Sequence, residues 1–150
     1  MKLIRKQQSD ILEMEVEIRY AELDARVQNL IDRIEQSEQY IHGEHNGRQY
    51  RILADDIFYV ESVDRKTFVY TESEIFCCEL KLYQVLEKLN AHFVQVNKSC
   101  VLNVNKLDHI QMLINSKMEG TLINGEKIII SRTFIPNIKV AFAKERGNII

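Results

Sequence analysis

The sequence predicts an α+β fold made mostly of short antiparallel strands, with a strand–helix unit in front and short helices between. Three observations predict it. Short apolar runs bounded by turn-forming residues follow one another from residue 50 to residue 131. Asn46-Gly47 and Asn124-Gly125 are hairpin dipeptides. Helical spacing of apolar residues is confined to three short stretches. A chain of 150 residues holds one ordinary domain, or one domain with an extension.

The elements follow in order. Leu12-Glu-Met-Glu-Val-Glu-Ile-Arg-Tyr20 alternates apolar and charged residues, the period of a strand with one buried face. Leu23, Val27, Leu30, Ile31 and Ile34 then share one face of an amphipathic helix. His42-Gly-Glu-His-Asn-Gly47 is turn-rich and predicts a connection, dividing the chain into an extension, residues 1–45, and a main domain, residues 46–150. Strands are predicted at 50–53, 57–60, 68–71 and 75–78, and a helix over 80–91 on the spacing of Leu82, Val85, Leu86 and Leu89. Further strands at 93–97, 100–104 and 107–114 precede a hairpin, 118–123 and 126–131, closed by a two-residue Asn124-Gly125 turn. Phe134, Ile138, Ala141 and Phe142 mark a closing helix with Pro136 in its first turn.

Composition narrows the function. Hydrophobic residues are 45% and charged residues 28% of the chain, the balance of a folded domain rather than a disordered one. No apolar run approaches the roughly 18–20 residues of a membrane span. The start, Met1-Lys-Leu-Ile-Arg-Lys-Gln-Gln, lacks a signal-peptide core. Three cysteines, an odd number with two adjacent, make no disulfide framework, which points to a reducing cytoplasmic setting. Residues 1–61 hold 8 Lys/Arg against 13 Asp/Glu, whereas residues 62–150 hold 12 against 9, so the back of the chain suits an anionic partner better than the front.

Most catalytic readings lack their parts. His42, Glu44 and His45 are spaced H-x-E-H in a Gly-rich stretch and do not set two imidazoles on one helical face, so no metal or cofactor is expected. Ser99 and Ser131 lack the G-x-S-x-G context of a nucleophile elbow, and no Gly-rich phosphate cradle occurs. Asp55-Asp56 reads as a solvated or capping pair, and Cys77-Cys78 as filler on alternate faces of a strand. An enzyme is not expected.

Three polar clusters carrying one or two cations recur at strand ends: Arg65-Lys66-Thr67, Asn97-Lys98-Ser99 and Ser131-Arg132-Thr133. Lys and Arg bind phosphate or the guanine O6/N7 pair, and Asn reads the adenine N6/N7 pair, so these residues suit DNA. An RNA reader would call for exposed stacking aromatics; there is no Trp, and Phe and Tyr fall mostly at apolar strand positions.

Residues from about 52 to 142 resemble the LytTR DNA-binding domain of bacterial transcription regulators. Asp56-Ile-Phe-Tyr-Val-Glu61 resembles the family's opening motif, and residues 80–89, with Leu82, Leu86 and Glu87, its helix. Phe93-Val-Gln-Val-Asn-Lys-Ser-Cys-Val-Leu-Asn103 resembles its central strand pair, Asn124-Gly-Glu-Lys-Ile-Ile-Ile-Ser-Arg132 its last hairpin, and Ile138-Lys139 its close. The resemblance implies an elongated β fold that lays loops into successive major grooves of double-stranded DNA at paired direct repeats, bending it. It implies a homodimer at least on DNA, with contacts from Arg65, Lys66, Thr67, Asn97, Lys98, Ser99, Ser131, Arg132 and Thr133. Arg132 and Lys98 are expected at base edges or phosphates, Asn97 at a base, and Lys66 with Ser99 on the backbone. Relatives often carry His or Arg at the position of Asn97. The front is too short for the receiver domain that commonly precedes this module. It is expected to serve dimerisation, to meet a small membrane-protein inhibitor, or to act as a structural cap. The competing reading is a protein-interaction adaptor that keeps the fold and has lost its DNA.

Overall fold

A computed structural model describes residues 1–89 and 92–145. Residues 1–24 hold no regular element, which corrects the strand expected at 12–20. Alternation makes a segment competent to pair, but a strand also needs a neighbour for its N–H and C=O groups. None lies beside it among the described residues, and Leu12 is fully and Met14 largely open to solvent. The helix that follows, α1 (Ala25–Gln36), is as predicted. Asp24 caps it, its carboxylate accepting from the Val27 N–H at 2.9 Å. Val27, Leu30, Ile31 and Ile34 form its half-buried stripe, and it lies against the closing helix α3 (Ile135–Glu145).

Residues 42–45 differ from expectation. They complete a strand, β1 (Tyr40–His45), paired along its length with β2 (Arg48–Leu53). Asn46 and Gly47 form the tip at φ 53° and 77°, the type I′ geometry that this dipeptide favours. The anticipated division at 45/46 thus falls at the tip of a hairpin whose two strands share one sheet. Gly43 disguised the strand in sequence, and packing demands it: a Cβ there would sit 2.6 Å from Ile52 Cδ1 and 2.8 Å from Phe76 Cβ.

The main sheet adds β3 (Tyr59–Val63), β4 (Lys66–Tyr70), β5 (Ile75–Cys78), β6 (Phe93–Asn97) and β7 (Cys100–Asn103) in the order β2-β1-β5-β4-β3-β7-β6, every pairing antiparallel. The helix α2 (Leu82–Lys88) is shorter than the stretch predicted at 80–91, of which residues 90 and 91 lie outside the described residues. A second sheet, ordered β10-β9-β8, is built from β8 (Leu107–Met112), β9 (Met118–Leu122) and β10 (Lys127–Ile130). Its last hairpin closes through three residues, not the two expected. The Leu122 N–H donates to the Glu126 carbonyl and the Gly125 N–H to the Leu122 carbonyl, with Gly125 at φ 90°. That is a type I turn followed by a left-handed glycine.

β7 is buried on both faces and divides two cores. Val101 joins Ile41, Ile57, Val60, Val69, Val85 and Leu89 around α2. Cys100 and Leu102 point the other way, into Val96, Met118, Leu122, Ile130 and Ile138 beneath the second sheet and α3. The buried Asn103 at its end is fully engaged. Its Nδ2 donates to the Ile57 carbonyl at 2.8 Å, and its Oδ1 accepts from the Asn105 N–H at 3.0 Å. Burial and Glu61 push the Cys100 thiol up to about 12.

Candidate nucleic-acid interface

The first cationic cluster sits on a two-residue turn, Asp64-Arg65, with Val63 and Lys66 directly opposite each other. Both turn residues have positive φ, 51° and 67°. An Asp tolerates this; an Arg is strained by it. Arg65 and Lys66 are exposed. Thr67 is not: it is paired with Ser62 and Cys78 inside the sheet and is 4% exposed, so its hydroxyl is withdrawn from any surface contact.

The second cluster is the β6–β7 turn. Lys98 is exposed at its tip. Asn97 holds the turn: its Oδ1 accepts from the Ser99 N–H at 2.9 Å and from the Ser99 hydroxyl at 3.1 Å. Its Nδ2 donates to the Ile129 carbonyl at 3.0 Å. The amide expected to read a base is therefore occupied in joining two sheets, and the Ser99 hydroxyl in bracing the turn.

The third cluster begins where β10 ends. The half-buried Ser131 donates its N–H to the Val96 carbonyl at 2.9 Å. A 3-10 turn over Arg132–Phe134 then presents Arg132 and Thr133 to solvent.

Backbone contacts bring the three together. β3 and β7 are neighbours with Glu61 opposite Cys100, and the Ser62 N–H donates to the Ser99 carbonyl at 2.8 Å. The turns carrying Arg65 and Lys98 thus emerge at the same end of the sheet from adjacent hairpins. The Asn97–Ile129 and Ser131–Val96 bonds fasten β10 beside β6. Burial, with Glu126 nearby, raises the pKa of the Tyr59 phenol. Arg65, Lys66, Lys98 and Arg132 make no ion pair among the described residues. Unneutralised cations held on a hydrogen-bonded frame can bind phosphates without reorganising.

The strain at Arg65 escaped the sequence reading, as did Val63, which is 42% exposed at the same tip. The two-residue gap between the runs ending at Val63 and starting at Lys66 was the available signal. The histidines thought of as ligands do structural work: His42 meets the Tyr40 ring edge-on at 5.4 Å, and His45 lies 3.0 Å from Glu74.

Residues 47–143 match the family described as LytTr DNA-binding domain. A solved structure, the LytTr DNA-binding domain of a putative methyl-accepting/DNA response regulator from Bacillus cereus, has a similar fold. Its TM-score is 0.62 at 22% identity, covering 73% of this chain and 98% of that one. The sensory transduction protein LytT of Bacillus anthracis is 31% identical over 140 residues, 93% of this chain and 52% of its own length. The LytT of Enterococcus faecalis is 27% identical over 93 residues, 61% of this chain and 38% of its own. The transcriptional regulatory protein YpdB of Escherichia coli strain K12 is 32% identical over 63 residues, 41% of this chain and 26% of its own. The chain spans about half or less of the length of these relatives.

Proposed function

The chain belongs to the LytTr DNA-binding domain family, and on that premise we propose that it is a sequence-specific transcription regulator that grips double-stranded DNA through its three cationic segments. Membership of this family makes it a binding module, not an enzyme. The observation that carries the proposal is the Ser62–Ser99 bond with its neighbour Ser131–Val96, because these join three solvent-facing segments whose cations make no ion pair among the described residues. Lys98 and Arg132 meet base edges or phosphates in successive major grooves, and Arg65 and Lys66 neutralise the adjoining backbone. Asn97, Ser99 and Ser131 hold these cations in register, and Thr133 stands beside Arg132 at the third segment. Paired direct repeats, a bent duplex and two copies on the site complete the reading. Because its target is chromosomal DNA, the protein works in the cytoplasm. No described helix is long and apolar enough to cross a membrane. Residues 1–45 are the part of the chain that would meet a small membrane-protein inhibitor.

The test is mapping of bound sites across the genome, followed by anisotropy titration of the recovered duplexes. Arg132→Ala is expected to lose about 1–3 kcal/mol of specific binding if Arg132 makes a bidentate guanine contact. Lys98→Ala is expected to flatten the dependence of log K on log salt by about 0.9 if it meets one phosphate. Wild-type protein that recovers no sites and retards no duplex would favour the adaptor reading.

A further inference from the structure

Residues 12–20 have the alternation of a strand and, among the described residues, no strand beside them. A segment patterned for pairing and left unpaired needs an edge. β2 is a free edge of the seven-stranded sheet, bonded to β1 on one side only.

The two faces of β2 differ. Gln49, Arg51 and Leu53 face one way, opposite Glu44, His42 and Tyr40. On that side the Arg51 guanidinium and the Lys88 ammonium lie 4.6 and 5.6 Å from the Tyr40 ring. Arg48, Tyr50 and Ile52 face the other way, with Tyr50 partly exposed and edge-on to Phe76 at 5.5 Å. Residues 12–20 carry the complement of both faces at once. Glu13, Glu15 and Glu17 project to one side, and Leu12, Met14, Val16 and Ile18 to the other. A shift of one residue would exchange the two sides. Only one of the two facings sets carboxylates beside Arg51 and Lys88 and apolar side chains beside Tyr50 and Ile52. The free edge of the other sheet, β8 (Leu107-Asp-His-Ile-Gln-Met112), has no Lys or Arg and carries an acid.

Within one copy the segment stays unpaired although β2 of that copy has a free side among the described residues, and α1, which follows the segment, lies against α3 and not along β2.

We propose that residues 12–20 of one copy add as an outer strand to β2 of a second copy, reciprocally, in a symmetric strand-exchanged dimer that forms without DNA. The proposal deepens the two-copy reading above and rests on it only in supposing that the protein works as a pair. An isologous interface of this kind holds the strand–edge contact twice.

Sedimentation equilibrium of the full chain, without DNA, tests it. The wild type is expected to be dimeric. Val16→Pro, which removes one backbone donor from the added strand, is expected to weaken association about tenfold per contact and so about a hundredfold for the pair. The thermal unfolding of each copy's own fold should be unchanged, since residue 16 lies outside every element of the single copy, and circular dichroism should lose no more than the added strand. Arg51→Glu is expected to weaken the dimer, and adding Glu15→Lys to restore it. Two results would overturn the proposal: a monomeric wild type whose amides at 12–20 exchange freely, or a dimer that Val16→Pro and Arg51→Glu leave untouched. A gel shift on the same samples separates this from the regulator reading. An intact strand-exchanged dimer that ignores DNA sinks the latter alone, whereas DNA binding by a wild-type monomer sinks the former alone.

Discussion

Replacing Arg65 by Gly should make the protein more stable and its grip on DNA weaker. Arg65 holds φ 67° in a two-residue type I′ turn. There an L-residue's Cβ crowds the following carbonyl at a cost of about 1–2 kcal/mol. Gly relieves this but gives back roughly 0.5–1 kcal/mol through the greater freedom of its unfolded chain. The net gain is about 0.5–1 kcal/mol, because Asp-Gly is among the dipeptides that this turn prefers. For a chain of 150 residues a gain of that size raises Tm by about 1–4 °C. Arg65 is exposed and without an ion pair among the described residues, so no folded contact is lost in exchange. On DNA the variant lacks one cation, and the slope of log K against log salt should fall by about 0.9. Thermal unfolding and salt-titrated anisotropy read the two effects separately. A variant that is less stable than the wild type would refute the strain argument. One that binds DNA with unaltered slope would remove this turn from the interface.

Other perturbations discriminate among roles. Asn97→Ala breaks three hydrogen bonds and should cost about 1–3 kcal/mol of stability. It should lower affinity evenly across operator variants; a loss confined to one base position would show that the amide reads sequence after all. Burial, opposed by Asp32 and Asp55 and aided by Arg33, lowers the pKa of the His92 imidazole. The unfolded imidazole titrates near pH 6.5 (about 6.5 in peptides), so stability is full above that pH and falls as acidification passes it, because only the unfolded state then binds the proton. His92→Asn suits the positive φ of 63° and should flatten that slope in denaturant titrations at successive pH values; an unchanged slope would locate the pH dependence elsewhere. Cys77 is exposed while Cys78 and Cys100 are buried with raised pKa values. Mass spectrometry should find Cys77 alkylated in the folded protein at about pH 8, and the other two only after unfolding.

The sequence revealed elements wherever local chemistry and tertiary demand agree. From β5 to β10 each strand lies between turn residues and within a few residues of its predicted place. It misled where a residue's reason is distant. Gly43 and the flanking histidines look like a loop, and only the approach of Ile52 and Phe76 explains a glycine inside β1. The opposite error occurred at residues 12–20, whose alternation is that of a strand although no described strand of its own chain pairs with it. Period records what a segment can do, and pairing depends on what lies alongside.

The same distinction governs the candidate site. Which residues are cations could be read directly, and Lys66, Lys98 and Arg132 are exposed as anticipated. Which polar neighbours stand free to meet a ligand could not, because hydrogen-bond partners thirty residues away in sequence decide it. Asn97 engages Ile129 and Thr67 disappears into the sheet, so at the first two segments these polar residues build the frame, and on the proposed reading recognition is left to the charges at the tips. A frame of that kind has a physical consequence for specificity. If the second segment meets DNA as proposed, Asn97, with its amide fixed at both ends, would not adapt to a changed base, and discrimination there would fall to the long, rotatable Lys98 and to how closely the duplex can bend toward it. Sequence preference there should therefore follow the deformability of base steps more than the identity of one base. Operator variants that stiffen the step facing Lys98 while keeping its hydrogen-bonding edge should bind more weakly, and equal binding would return the burden of recognition to direct contact.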